Sequence, residues 1–149
     1  MKPFVCAGAG FLLAVLWFDL MFDVQVLRHR SGNLEEPVLA SITAYYRRVT
    51  TTAAPMNRLV AAVMLLTLAA IVVEIAAGQG PVWVGWVSLV LAAAPIGVAG
   101  ARTVPSAVRL GSRADPPALQ GELARAICRQ HLFCFGSILA LLVVQLAAA

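Results

Sequence analysis

Four long apolar runs alternate with polar breaks along the chain, at about 4–26, 56–77, 82–101 and 127–148. An α-helix needs about 20 apolar residues to cross the hydrocarbon core of a bilayer, and each run supplies that length. The pattern predicts an all-α polytopic membrane protein, with four transmembrane helices in one bundle, a single domain over 1–149 and short amphipathic helices in the two long loops.

The breaks carry their own signals. The first run opens with small residues, Cys6 to Gly10, that permit close helix approach. It ends at Arg28-His29-Arg30 without a small-residue cleavage site, and so reads as a retained span, not a signal peptide. Ser31-Gly32-Asn33 marks a helix stop, and Asn33 with Glu36 forms a capping-box pattern for the next helix. Over 34–50, Leu34, Val38, Ile42 and Tyr45 or Tyr46 recur at helical spacing, which predicts an amphipathic helix along the inner interface. Pro55 suits the first turn of the second span.

Gly78-Gln79-Gly80-Pro81 is a tight turn followed by Trp83 and Trp86 at interfacial depth. Pro95 is expected to kink the third span, and Gly97 and Gly100 to thin its inner half. After a loop containing Pro105 and Gly111, Asp115 as cap and Pro116 in the first turn predict a helix from about 117. That helix is expected to run unbroken into the fourth span near Ile127. The two halves share a plan, but no residue-level repeat supports duplication.

Composition sharpens this picture. Hydrophobic residues make up 61% and charged residues 12% of the chain, against about 25% charged in a soluble domain. The ten arginines lie in or beside the segments 24–58 and 102–130, while Lys2 is the one basic residue before them and the 78–82 turn has no charge. Basic loops stay cytoplasmic. The expectation is therefore a multi-pass protein of the bacterial inner membrane with both termini outside. Orientation accounts for the arginines, so nucleic acid is not expected as a partner. Three cysteines, Cys6, Cys128 and Cys134, imply no disulfide framework. Six residues separate the last two on one helix, about 9 Å in rise and on different faces.

Charges inside a span are costly and mark candidate sites. Asp19 and Asp23 are four residues apart in the first run and share a helix face with Gly8 and Leu12, which suggests a face turned into the bundle. Counted from Arg28, Asp19 lies roughly 13 Å into the membrane. Arg129 and His131 open the fourth span, Arg102 closes the third, and Asn57 and Arg58 open the second. All four helices thus bring polar groups to one depth, which predicts a polar pocket at the cytoplasmic side. The candidate acid–base groups are Asp19, Asp23 and His131. The candidate ligand-binding groups are Asn57, Arg58, Arg102 and Arg129.

Other readings of the same residues stand beside this one. The aspartates can pair with Arg102, Arg129 or Arg58 and fix helix register. Asp19, Asp23 and His131 suit iron, zinc or manganese in ligand type, without a complete ligand motif. Cys128, His131 and Cys134 drift round the helix, and cysteines in apolar spans are usually small buried residues. His29 and His131 make a bis-histidine haem geometrically conceivable, although flanking arginines favour a headgroup-facing His29. No cofactor is assigned. Glu74 near the outer end is expected to anchor at the interface or meet Gln145. A nucleophile elbow, a phosphate-binding glycine loop and a zinc-protease pair are all lacking.

In layout, Tyr45-Tyr46-Arg47-Arg48 before Pro55-Met56-Asn57-Arg58, then Thr103-Val104-Pro105-Ser106, then Arg129-Gln130-His131 together resemble the anthrone oxygenase-like family of small four-helix membrane proteins. That resemblance implies a pocket for an aromatic or quinone-like molecule. Two readings follow: an accessory or small-molecule-binding membrane protein, or a membrane enzyme of oxygenase type. The expected partners are the lipid bilayer, a hydrophobic small molecule, and a membrane-protein partner or a second copy of the chain.

Overall fold

The computed structural model describes residues 1–29 and 32–148. Helix α1 spans Lys2–Asp23 and tightens into a 3-10 turn over Val24–Arg28. Then follow α2 (Glu36–Arg47), α3 (Ala54–Ala76), α4 (Val82–Val98), α5 (Val104–Ser112) and α6 (Pro117–Ala147). The described residues are all-helical, with no strand. Prolines Pro3, Pro37, Pro55, Pro105 and Pro117 sit in the first turns of five of these helices, where a missing N–H leaves no helical bond unmade.

Four helical stretches are long and apolar enough to cross a membrane: Lys2–Arg28, Pro55–Ala76, Val82–Ser112 and Pro117–Ala147. Each packs on its neighbours in chain order, and α6 closes the ring against α1. The result is an up-down-up-down bundle. The turn between α3 and α4 relies on Gly78 and Gly80, whose φ values of +62° and +100° are strained for any side chain. Trp83 and Trp86 beyond it are exposed.

Two apolar cores divide the molecule. One lies within the bundle and is built from Val5, Ala9, Leu12, Ala70, Ile71, Ala92, Ile138 and Leu141. The other occupies the arginine-rich end, where Leu39, Ile42 and Tyr46 of α2 meet Ala107 and Leu110 of α5 and Ala124, Ile127 and Cys128 of α6. Helix α2 is therefore a packed layer over the bundle end, with Leu39 and Ile42 buried and Val38 partly so.

Several local expectations need correction. The capping box does not form: α2 begins at Glu36 behind Glu35, without a side-chain cap. Glu36 instead accepts two hydrogen bonds from Arg113 Nη2 at 2.8 and 3.0 Å. Asp115 does not cap α6 either. That helix starts at Pro117, and Asp115 pairs with Arg109 at 2.9 Å. The predicted loop after the third span is largely helix α5, reached through a π-type turn over Ala99–Thr103. Ser31, part of the predicted stop, and Arg30 lie outside the described residues.

Glu74 is not an exposed anchor. It is buried, and Gln145 Nε2 donates to Glu74 Oε1 at 3.4 Å and to Ser88 Oγ at 3.0 Å.

Candidate functional site

The last two turns of α1 bring Asp19 and Asp23 to the junction between the two cores. Asp23 is fully buried. Helix α6 crosses beside α1 and places His131 against both carboxylates. His131 Nδ1 lies 2.6 Å from Asp23 Oδ2, and Nε2 lies 3.9 Å from Asp19 Oδ2. The two ring nitrogens thus face the two carboxylates one turn apart on α1.

Helix α2 completes the arrangement from above. The Tyr46 hydroxyl donates to Asp23 Oδ1 at 2.6 Å, and the Tyr45 hydroxyl donates to Asp19 Oδ1 at 2.6 Å. Tyr45 stacks on Phe22 at 4.1 Å between ring centroids and meets Tyr46 edge-on at 5.3 Å. Each aspartate therefore receives one phenol from α2 and faces one imidazole nitrogen from α6. With Tyr46 and His131 Nδ1 in place, both oxygens of Asp23 are engaged within the protein. A buried charge is tolerable in this paired, hydrogen-bonded form.

Burial, and then the carboxylate beside each phenol, push Tyr45 and Tyr46 well above the usual tyrosine range. Both are thereby held as proton donors. These are the only two tyrosines of the chain, so an alkaline titration reads them alone. A free tyrosine ionises near pH 10. Because folding raises the phenol pKa, the stability that the protonated phenols contribute is present below that value and is lost only as pH rises through the higher folded one. Tyrosinate absorbance of the folded protein should therefore stay flat past pH ~10 and appear together with loss of helicity. Normal ionisation with the helices intact would show that the hydroxyls are free.

Sequence reasoning placed Asp19, Asp23 and His131 at one depth, and the structure brings these three together. Asn57, Arg58, Arg102 and Arg129 do not join them. All four are exposed. Asn57 Nδ2 donates to the Val49 carbonyl in the bend before α3. Arg129 precedes His131 by two residues, which on a helix is a rotation of about 200°, nearly the opposite face. Between them, Gln130 accepts from the Thr103 hydroxyl at 2.9 Å. Among the described residues, no ion pair joins Arg58, Arg102 or Arg129 to either aspartate. Long basic side chains at a membrane boundary gain more by reaching water than by following their helix into the bundle.

The residues missed are Tyr45 and Tyr46. They lie on the apolar side of an amphipathic segment, and a phenol buried there needs an acceptor. That was the available signal. No group of three His, Cys, Asp or Glu side chains is placed to hold a metal ion among the described residues. Cys128 and Cys134 are buried and unpaired with each other, and Cys134 Sγ donates to the Pro95 carbonyl at 3.7 Å.

The fold and this network define a four-helix membrane protein whose first connecting helix is pinned to the bundle by a buried tyrosine–aspartate–histidine cluster. Residues 2–104, more than half of the chain, match the SHR3 chaperone family, described as ER membrane protein SH3, and the chain belongs to that family. No curated protein and no solved structure matches the chain.

Two expectations are overturned by that membership. The chain is not assigned to the anthrone oxygenase-like family. The likeness rested on the short segments 45–48, 55–58, 103–106 and 129–131 set in a four-span layout, and bilayer thickness and the positive-inside rule impose such a layout on unrelated proteins. The bacterial inner membrane is likewise replaced, since the family is one of ER membrane proteins. Arginine asymmetry speaks to a side of a membrane and carries nothing about which membrane it is.

Proposed function

We propose that this chain is a non-catalytic accessory protein of chaperone type that acts on another membrane protein within the endoplasmic reticulum membrane. In this reading the Asp19–Asp23–His131–Tyr45–Tyr46 cluster is a structural lock that fixes α2 over the bundle. The observation that carries it is the internal engagement of Asp23, which is fully buried and spends both oxygens on Tyr46 and His131, with Asp19 beside it accepting from Tyr45. Acid–base chemistry requires a group within hydrogen-bond reach of a substrate, and these groups reach each other. Membership of the SHR3 chaperone family supports the accessory role. The wide apolar faces left uncovered on the spans, with Trp17, Phe18 and Met21 on α1 among them, offer surface for a membrane-protein partner as well as for lipid.

The test is genetic and proteomic. Deleting the protein from its host should deplete a small set of polytopic proteins from membranes beyond the endoplasmic reticulum, with their transcripts unchanged. The wild-type chain should restore them, and so should His131→Gln wherever that variant still folds. Unchanged membrane-protein abundance and distribution would reject the accessory role. Restoration by wild type but not by a folded His131→Gln would return the cluster to chemistry.

A further inference from the structure

We propose that the buried Glu74–Ser88–Gln145 cluster, at the end of the bundle opposite the Tyr–Asp–His lock, binds a primary ammonium group, supplied by the ethanolamine headgroup of a phospholipid or by a free amine. Three spans build it: α3 brings Glu74, α4 brings Ser88 and α6 brings Gln145. The side-chain amide of Gln145 donates to both of the others. This leaves Glu74 Oε2 and Gln145 Oε1 buried without a hydrogen-bond partner among the described residues. Glu74 is 6% exposed and Gln145 1%. At the other end the buried Asp23 has both oxygens engaged, whereas this cluster has a surplus of buried acceptors. Unmade bonds of this kind are expensive in a bundle interior, and each asks for an explanation.

Both residues line a cavity of about 320 Å³ beneath the 78–82 turn, together with Lys2, Gln79, Val84 and Ala148. A smaller cavity of about 60 Å³ also borders Glu74. The larger volume falls at the low end of small-molecule sites, which span about 300–1,000 Å³. Two unpaired acceptors, one of them a carboxyl oxygen, suit a ligand with several N–H donors. A primary ammonium has three donors and no acceptor. A quaternary ammonium of similar size has none. Water brings two donors where a primary ammonium brings three.

Depth and surroundings favour a headgroup. The cavity lies at the membrane boundary that exposed Trp83 and Trp86 mark. Lys2 lines it without an ion pair to Glu74 among the described residues. Its ammonium is available to the phosphate of a zwitterionic headgroup whose amine reaches the buried acceptors.

The full-length protein in detergent would be mixed with phosphatidylethanolamine, phosphatidylcholine, ethanolamine or choline, and binding read by native mass spectrometry and thermal shift. Phosphatidylethanolamine should be retained at least about tenfold over phosphatidylcholine, the difference that a lost charged hydrogen bond produces. Glu74→Gln should erase that preference while helicity is kept. Lys2→Gln should weaken the phospholipid and leave ethanolamine unaffected. Ethanolamine binding as tightly as the lipid identifies a free amine as the source, and lipid binding alone identifies the headgroup. Equal retention of the two lipids together with equal effects of ethanolamine and choline overturns the proposal, and that comparison uses wild-type protein only. A preference that survives in folded Glu74→Gln overturns it as well.

Discussion

Asp23→Ala is expected to destabilise the protein by about 3–5 kcal/mol, the usual cost of removing one partner from a buried pair. The carboxylate is fully buried and holds both Tyr46 and His131 at 2.6 Å, so its loss strands an imidazole and a phenol at once. Asp19→Ala should cost less, about 1.5 kcal/mol, the lower end for a hydrogen bond to a charged group. Its side chain is 18% exposed, and His131 Nε2 stands 3.9 Å away. Neutralising Arg58, Arg102 or Arg129 should rescue neither variant, because those side chains are exposed and unpaired with the aspartates among the described residues. Replacing the whole buried unit, as Asp23→Leu with His131→Leu and Tyr46→Phe, should recover most of the loss, since apolar substitutes for a buried polar set are often neutral. Thermal melts in one detergent check the series. An Asp23→Ala melt equal to that of Asp19→Ala would contradict the geometry, as would rescue by an arginine variant.

The spans were legible because bilayer thickness is a long-range, averaged constraint. Twenty apolar residues in a row leave little else to build, and four helices of the chain are long and apolar enough to cross a membrane. Local signals fared less well where several residues competed for one role. Asn33 and Asp115 both sit in good capping positions, yet Glu36 and Asp115 found arginines, and proline set the helix starts. Shared depth grouped Asp19, Asp23 and His131, but depth along a helix says nothing about azimuth. Arg129 has the same depth as His131 and the opposite direction. Tyr45 and Tyr46 were readable as phenols on an apolar stripe in need of acceptors, but which acceptors they meet was not, because those are more than twenty residues away in sequence. Which aspartate a loop helix covers is decided by the docking of α2 on α5, and that contact leaves one small mark in the sequence, Gly111.

Gly111→Ala should therefore loosen the lock from a distance. A Cβ at this position would lie 2.8 Å from Arg47 N, 3.0 Å from Arg47 Cα and 3.1 Å from the Tyr46 carbonyl carbon. These are backbone atoms and cannot rotate away, so α2 and α5 must separate. Overpacking of this kind costs about 1–3 kcal/mol. The backbone pushed is the Tyr46–Arg47 peptide link, and the Tyr46 hydroxyl meets Asp23 at 2.6 Å. The variant should thus show a lower tyrosine ionisation midpoint as well as a lower melting temperature. Gly8→Ala is the first comparison. Its Cβ would meet Thr67 Oγ1, a side-chain atom that can turn aside at the expense of its bond to the Val63 carbonyl, so stability falls and the tyrosine titration stays where it was. Gly136→Ala is the second. Nothing lies within 4 Å of its Cβ, and the gain in helix propensity, up to about 1 kcal/mol, should leave the protein at least as stable as wild type. A Gly111→Ala protein with an unchanged tyrosine titration would mean that α2 reaches Asp23 without leaning on α5.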